Sequence, residues 1–460
     1  MSIYSHETKL DFNKEKVFGW FEKKGAFERI MPPWEKLKIL DRNEGISNES
    51  YNIFRIKIGP LPKKWYADHY DYIANSQFCD KQLKGPFWSY EHKHLFEESE
   101  ANKCVMKDVV NYKLPLHFIS KYVADWNVKS RFDMLFKWRE IRLKNDLKRH
   151  NRFPNISKRI LVAGSSGFIG NQLVCFLRTG GHEVIRLVRP ETSRRLISDE
   201  EVIEWEPENG KINPEQLENF DAIINLAGVG IGDKRWSKKR KKAILESRTS
   251  ATSLLGKTIS KLVNPPECFI SSSAIGYYGN RRDDELDESS EPGEGFTATV
   301  SKKWEESTKD AGVNTIILRT GIVISPSGGA LSKMLFPFKI GAGGKIGSGK
   351  QHMSWISHDD VIFAIHHLIM NNCSKGVYNL TSPNPVTSKQ FAKTLGRVLR
   401  RPAIMPLPSF VVKFLFGEMG KELLLEGQYV KPKNLIEEGF KFTHNHLEDC
   451  LRDFLGAWKS

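Results

Sequence analysis

Across the second two-thirds of the chain, apolar residues come in short unbroken runs, the pattern of strands buried on both faces of a parallel sheet. The runs are ISKRILVAGS (156–165), HEVIRLVR (182–189), FDAIINLAG (220–228), ECFISSSAIG (267–276) and VNTIILRTGIVI (313–324). Between them, FIGNQLVCFLRTGG (168–181), SKKRKKAILESRTSATSLLGKTISKLV (237–263) and the stretch around FTATVSKKWEESTKDAG (296–312) read as helices, the first ended by Gly180 and Gly181. Strand alternating with helix at this spacing predicts an α/β fold with a Rossmann doubly wound parallel sheet. Beyond about residue 325 the rhythm fades. PFKIGAGGKIGSGKQHMSWIS is glycine-rich and loop-like, SKGVYNL returns to the pattern once, and the tail from about 385 is mostly helical.

The first 155 residues follow another pattern. KVFGWFEKKGAFERIMPPW predicts short helices broken at Gly25, Pro32 and Pro33. YNIFRIKIG, KWYADHYDYI, KGPFWSYEHKHLFEES and KCVMKDVVNYKLP are rich in aromatic and β-branched residues and read as antiparallel strands. SRFDMLFKWREIRLKNDLKRH then carries a partly periodic stripe of Phe132, Leu135, Phe136, Ile141, Leu143 and Leu147. The expectation is an α+β domain, its sheet curled around a final long helix. Its interior is either a ligand cavity or a packed core. Pro154 and the polar residues around it end that unit. The expected divisions are 1–155, 158–385 and a mostly helical 386–460.

Composition narrows the classes. A chain of 460 residues exceeds one ordinary core. No run of eighteen apolar residues exists, so no membrane span is expected. Six cysteines at 79, 104, 175, 268, 373 and 450 form no CxxC pair, which suits reduced thiols in the cytoplasm rather than a disulfide framework or zinc site. The net charge of +15 comes from lysines spread along the chain, without a nucleic-acid motif, so a solvated surface explains it better than a nucleic-acid partner. His352, His358, Asp359 and Asp360 match no standard ligand spacing, and no metal is expected there.

The chemistry concentrates at Gly164-Ser165-Ser166-Gly167-Phe168-Ile169-Gly170. A tight strand-to-helix turn, bare backbone and a helix N-terminus are what a pyrophosphate requires, so this is a candidate dinucleotide site. The second strand ends at Arg189 with no acidic residue, a position suited to a ribose 2′-phosphate unless Arg189 is a plain surface residue. NADP is therefore expected ahead of NAD. Asn225, Leu226, Ala227 and Gly228, ending the third strand, are placed to line the adenine side.

With GxxGxxG, Asp221–Gly228, Arg235-Trp236-Ser237, Glu246-Ser247-Arg248, Ser271–Gly279, Leu318–Val323, His352–Ser357, Tyr378–Val386, Arg401-Pro402 and Leu424–Val430, the region from 158 resembles the extended short-chain dehydrogenase/reductases. More narrowly, it is similar to a sugar-nucleotide-epimerase-like group with its own C-terminal domain. The first 155 residues resemble START-like, polyketide cyclase-type helix-grip domains. The resemblance implies a Ser or Thr, a Tyr and a Lys at a nicotinamide, Tyr as general acid/base and Lys four residues on. Ser272 or Ser273 fills the first role. Phe296 and Val300 stand where Tyr and Lys are expected, and neither can move a proton or hold a ribose hydroxyl. Three ways remain open: Tyr277 or Tyr278 as the acid, a shifted Lys302 or Lys303, or cofactor binding without the usual turnover. Trp236 and Trp304 read as packing residues, and the basic run from Lys234 to Lys242 as a solvated helix start or the face of an anionic substrate. The leading expectation is an NADP-binding epimerase or oxidoreductase for a small-molecule substrate, with a lipophilic ligand in the first domain. The alternative is a non-catalytic cofactor sensor or ligand carrier. Dimerisation is common in the superfamily and is not visible in the residues.

Overall fold

The computed structural model describes residues 1–58, 61–115, 124–194, 196, 200–371 and 376–458. Cys373 lies outside them. The chain forms two compact units, one of Met1–Ile156 together with Cys175–His182, the other of the rest of the chain from Ser157.

The first unit is a seven-stranded antiparallel sheet in the order β1-β7-β6-β5-β4-β3-β2. Its strands are β1 (Ser2–Leu10), β2 (Lys38–Asn43), β3 (Tyr51–Ile58), β4 (Leu61–Ile73), β5 (Gln77–Lys84), β6 (Ser89–Glu100) and β7 (Lys103–Lys113). Helices α1 (Lys14–Phe21) and α2 (Ala26–Ile30) follow β1, and the 27-residue α3 (Ala124–His150) closes the unit. Phe132 and Phe136 of α3 pack with Tyr4, Val110 and Tyr112, and Leu143 and Leu147 pack with Phe18, Phe78 and Phe96. The helix thus spends its apolar stripe on the sheet's inner face. Strands β1, β2 and β5 are absent from the sequence-based expectation. In β1 the burial alternates, but two of the inward positions are His6 and Thr8, which hide the strand from an apolar-run reading.

The second unit is built on seven parallel strands in the order β10-β9-β8-β11-β12-β14-β18. They are β8 (Arg159–Ala163), β9 (Glu183–Val188), β10 (Val202–Glu204), β11 (Ala222–Asn225), β12 (Cys268–Ala274), β14 (Asn314–Thr320) and β18 (Gly376–Leu380), while the short β13 (Glu285–Leu286) and β16 (His352–Met353) belong to separate two-stranded sheets. Helices α4 (Phe168–Thr179), α5 (Pro190–Ser193), α6 (Lys238–Ile259), α7 (Phe296–Glu306), α8 (Gly329–Lys339) and α9 (His358–Met370) lie between them. Strand order reverses between β8 and β11, and in open α/β sheets the crevice at such a reversal, beyond the strands' carboxyl ends, is the binding position. The run 313–324, expected as one strand, is two. It breaks at Gly321, where a Cβ would fall 2.4 Å from the Ser354 carbonyl oxygen. Its continuation β15 (Ile322–Ile324) pairs with β17 (Trp355–Ser357) in a separate small sheet. Among the described residues no helix is long and apolar enough to cross a membrane.

Candidate functional site

The turn from β8 into α4 sits at the reversal, and its glycines are needed for different reasons. Gly164 has φ +75°, and a Cβ there would lie 2.6 Å from the Leu226 carbonyl carbon. Gly170 is buried, and a Cβ there would meet the Gly164 carbonyl oxygen at 2.3 Å. Gly167 is exposed, with only the Gly164 oxygen at 3.1 Å from a notional Cβ. The first two glycines let the helix and the neighbouring strand close on the turn, while the third leaves bare backbone at its mouth beside exposed Ser166. Ser165 is buried, and its hydroxyl has no hydrogen-bond partner among the described residues. Phe168 stacks on His358 at 4.4 Å, and half-buried Ile169 follows it into the helix.

Two arginines brace this region from inside. Buried Arg186 on β9 donates to the Ser165 carbonyl (2.8 Å), to Asn171 (3.3 Å) and to Glu200 (2.9 Å), tying turn, helix and strand together. Arg248 on α6 is buried beside Gly228, whose notional Cβ would be 3.3 Å from the guanidinium carbon. It donates to its own helix at Ile244 O (2.9 Å), lies over Trp304 at 5.0 Å and has no carboxylate partner among the described residues. Burial, then the neighbouring Arg240, pushes its guanidinium down to about 10. Arg240 itself donates to the Gly230 carbonyl. Two guanidinium groups beside the 228–230 loop, with no acidic partner among the described residues, make that face electropositive. Sequence reasoning recorded Arg248 only as part of a motif, because an arginine on a polar helix reads as solvated.

Asn225 is fully buried at the end of β11 and donates to Thr252 (2.8 Å), while its oxygen accepts from Ala227 N–H (3.1 Å). The backbone 226–228 is thereby fixed against Gly164. Arg189 follows β9 with its side chain mostly exposed, 3.6 Å from Glu208.

The serines and tyrosines after β12 divide into two groups. Ser273 donates to Glu305 (2.6 Å), Glu305 accepts two bonds from Arg319 (2.9 and 2.8 Å), and Arg319 donates to the Tyr278 hydroxyl (3.0 Å), which donates to Asn379 (2.7 Å). Burial raises Tyr278 to about 12, against the opposing pull of Arg319. Ser273 and Tyr278 are thus held in a closed network. Ser272 is half-buried on the alternate face of the strand. Tyr277 is half-buried with the Arg319 guanidinium 3.4 Å above its ring. Phe296 opens α7 edge-on to Trp236 (4.8 Å) with Lys241 over its ring at 4.4 Å, and Val300 is buried in the helix interface. Lys302 and Lys303 are exposed. Trp304 donates to Thr252 and packs. His352 contacts Asp283 (3.1 Å) and His358 the Phe168 carbonyl (3.1 Å), so the two have separate partners.

In the first unit, a cavity of about 310 Å³ opens between sheet and helix. Aromatic side chains such as Phe54, Trp65 and Phe87 line part of its wall, and His69, Asp80, His92 and His94 form a polar row along one side. Burial works against charge on His92, but its contacts to Asp108 and Asp80 outweigh that and hold the imidazole above its usual range.

A parallel sheet in Rossmann order with a glycine turn at its reversal defines the second unit as a doubly wound α/β protein of the dinucleotide-binding type. The family model of the NAD-dependent epimerase/dehydratase family matches residues 160–381, and a domain of unknown function (DUF1731) matches 407–454. An epimerase family protein of Mycobacterium bovis is 39% identical over 295 residues, covering 64% of this chain and 96% of its own. The chain belongs to the NAD-dependent epimerase/dehydratase family, in the branch carrying this C-terminal domain. Human epimerase family protein SDR39U1, solved with NADPH, is 35% identical over 64% of this chain and 98% of its own, at a TM-score of 0.59. The solved nucleoside-diphosphate sugar epimerase of Corynebacterium glutamicum is 28% identical and covers 99% of this chain and 90% of its own, at a TM-score of 0.80. That structure therefore carries a counterpart of the first unit as well.

Proposed function

We propose that the chain is an NADP(H)-binding epimerase or oxidoreductase acting on a small molecule, a nucleotide sugar or carbonyl compound. Residues 1–155 would be a helix-grip, START-like module for a lipophilic ligand, 158–385 the cofactor domain and 386–460 a cover on the substrate side. The observation that carries the cofactor reading is Arg248, a buried cation with no carboxylate partner among the described residues, beside Gly228 on the 226–228 segment that packs against the Gly164 turn. Gly164, Ser165, Ser166, Gly167, Phe168, Ile169 and Gly170 would cradle the pyrophosphate, with the buried Ser165 hydroxyl a spare hydrogen-bonding group. Asn225, Leu226, Ala227 and Gly228 would line the adenine side, and the exposed Arg189 would hold the 2′-phosphate. NADPH in the human relative supports that choice.

The bound nicotinamide would supply hydride exchange. Of the candidate catalytic residues, Ser272 and Tyr277 keep their hydroxyls outside the hydrogen bonds that hold Ser273, with Arg319 of that network lying over the Tyr277 ring, so Ser272 would position the substrate oxygen and Tyr277 would pass the proton. The second reading, an NADP(H) sensor or carrier without turnover, draws its support from Phe296 and Val300 in place of the usual pair.

Titration of NADPH by fluorescence, with wild type and Arg248→Gln, tests the proposal. Saturable binding is expected, weakened about 10- to 100-fold in the variant, since hydrogen bonds to charged groups contribute about 1.5–3 kcal/mol. No binding to wild type at millimolar cofactor would overturn the reading. Binding with turnover of nucleotide sugars or carbonyl compounds that Tyr277→Phe abolishes selects the enzyme, and binding without any turnover selects the sensor.

A further inference from the structure

Four side chains in the first unit occupy a geometry that a hydrogen-bonded network alone does not explain. His92 and His94 are two apart on β6 and therefore share its inner face. Asp80 on β5 stands directly opposite His92, and Asp108 on β7 directly opposite His94. His92, His94 and Asp108 are almost fully buried. Each imidazole turns one nitrogen to each carboxylate. His92 Nε2 and His94 Nδ1 lie 2.9 and 2.8 Å from the same oxygen, Oδ1 of Asp108. The opposite nitrogens, His92 Nδ1 and His94 Nε2, lie 3.3 and 3.5 Å from Oδ2 of Asp80.

Those two pairs of distances mean different things. The His92 contact to Asp108 is an ordinary charge-assisted hydrogen bond, whereas the His94 contact is a close ion-pair approach without hydrogen-bond alignment. The contacts to Asp80 are longer than the usual 2.7–3.2 Å of such bonds. They match instead the edge of a tetrahedron, about 3.3 Å, around an ion with ligand bonds of about 2.0–2.1 Å. The three ligand atoms lie within 4.8 Å of one another. Asp108 then takes the place that a carboxylate occupies behind metal-bound histidines, fixing the tautomer and ring orientation of His92 and lying 2.8 Å from His94 Nδ1.

We infer that Asp80, His92 and His94 form a binding site for one divalent first-row transition ion of the zinc type, oriented by Asp108 and opening into the cavity of the first unit. Two imidazole nitrogens and one carboxylate oxygen suit such an ion better than magnesium or calcium, which prefer all-oxygen sets. Three protein ligands leave a position free, the arrangement of a site that also binds water or a ligand group. Because Asp80, His92 and His94 line the cavity wall, that position faces whatever the cavity holds. Asp108 is a positioning residue and touches no ion.

Cobalt(II) is the probe. Full-length protein, stripped with chelator and desalted, is titrated with Co²⁺ while visible absorption is followed, and zinc content is then measured by mass spectrometry after equilibrium dialysis. One ion per chain is expected, with the ligand-field bands of a four- or five-coordinate site bleached by one equivalent of Zn²⁺. His94→Gln or Asp80→Asn should abolish the bands, and Asp108→Asn should keep the stoichiometry while weakening affinity about 10- to 100-fold. No stoichiometric uptake by folded wild type, or uptake unchanged in a folded Asp80→Asn/His94→Gln variant, overturns the proposal. If the variants fail to fold, the wild-type stoichiometry and spectrum still decide.

Discussion

At the scale of single residues, the second unit places charge where a sequence hides it. Asp360 at the start of α9 accepts from the backbone N–H groups of Thr443 (2.7 Å) and His444 (3.1 Å). The buried His444 ring bonds Asp453 at 2.8 Å. Burial alone would lower the His444 imidazole, but the bond to Asp453 and the charges of Asp360, Asp453 and Asp359 outweigh it and raise it above its usual value of 6.5. A group protonated more readily when folded stabilises the fold fully below the unfolded value, and that contribution is lost as pH rises through the folded value. Stability of the second unit should therefore decline from pH 6.5 upward, and His444→Gln should flatten that slope while lowering stability at pH 6. Urea titrations of both proteins from pH 5.5 to 8.5 check this, and parallel curves would refute it. None of this was legible beforehand, since Asp359 and Asp360 drew attention only as metal ligands to be dismissed. The glycines at 164, 167 and 170 were legible because their spacing, by itself, reports a constraint on backbone. Arg186 and Arg248 were not, because a buried arginine inside an element looks like any other charged position until its partners are known.

At the scale of elements, legibility follows how many faces a strand buries. β8, β11 and β12 are buried throughout most of their length and stood out as apolar runs. β5, with the sequence QFCDKQLK, places Asp80 inward and leaves its end exposed, so its apolar content is too low to announce a strand. Helix α3 illustrates a further limit. Its stripe was visible, but the residue that locks it to α2 is polar: Asp146 accepts from Arg29 Nε (2.7 Å) and Nη2 (2.8 Å), with neither side chain exposed. Removing one partner strands a buried charge. Asp146→Ala should therefore cost the first unit about 3–5 kcal/mol, whereas the paired change Arg29→Met with Asp146→Leu should recover most of the loss. Denaturant unfolding followed by fluorescence of Trp20 and Trp138, both buried in this unit, measures it. A single variant as stable as wild type would show that the pair contributes little.

At the scale of the molecule, the relatives divide the chain in a way that predicts its behaviour. The Mycobacterium bovis and human proteins match nearly all of their own length to about 64% of this chain, a share close to the length of the second unit, within which the family model matches 160–381. In those proteins the counterpart of the second unit is almost the whole polypeptide, so it has no need of a fused first unit to fold. All residues proposed to touch the dinucleotide, from Gly164 to Arg248, also lie within it. A polypeptide of residues 157–460 should accordingly fold alone, give one cooperative thermal transition, and bind NADPH with the affinity of the full chain. Circular dichroism and the same fluorescence titration test both parts. A folded fragment that has lost NADPH binding would mean that the first unit contributes to the cofactor site, and the proposed cradle of 164–170, 189 and 225–228 would then be incomplete. An unfolded fragment would mean instead that this chain, unlike its shorter relatives, has shifted part of its stability onto the first 155 residues.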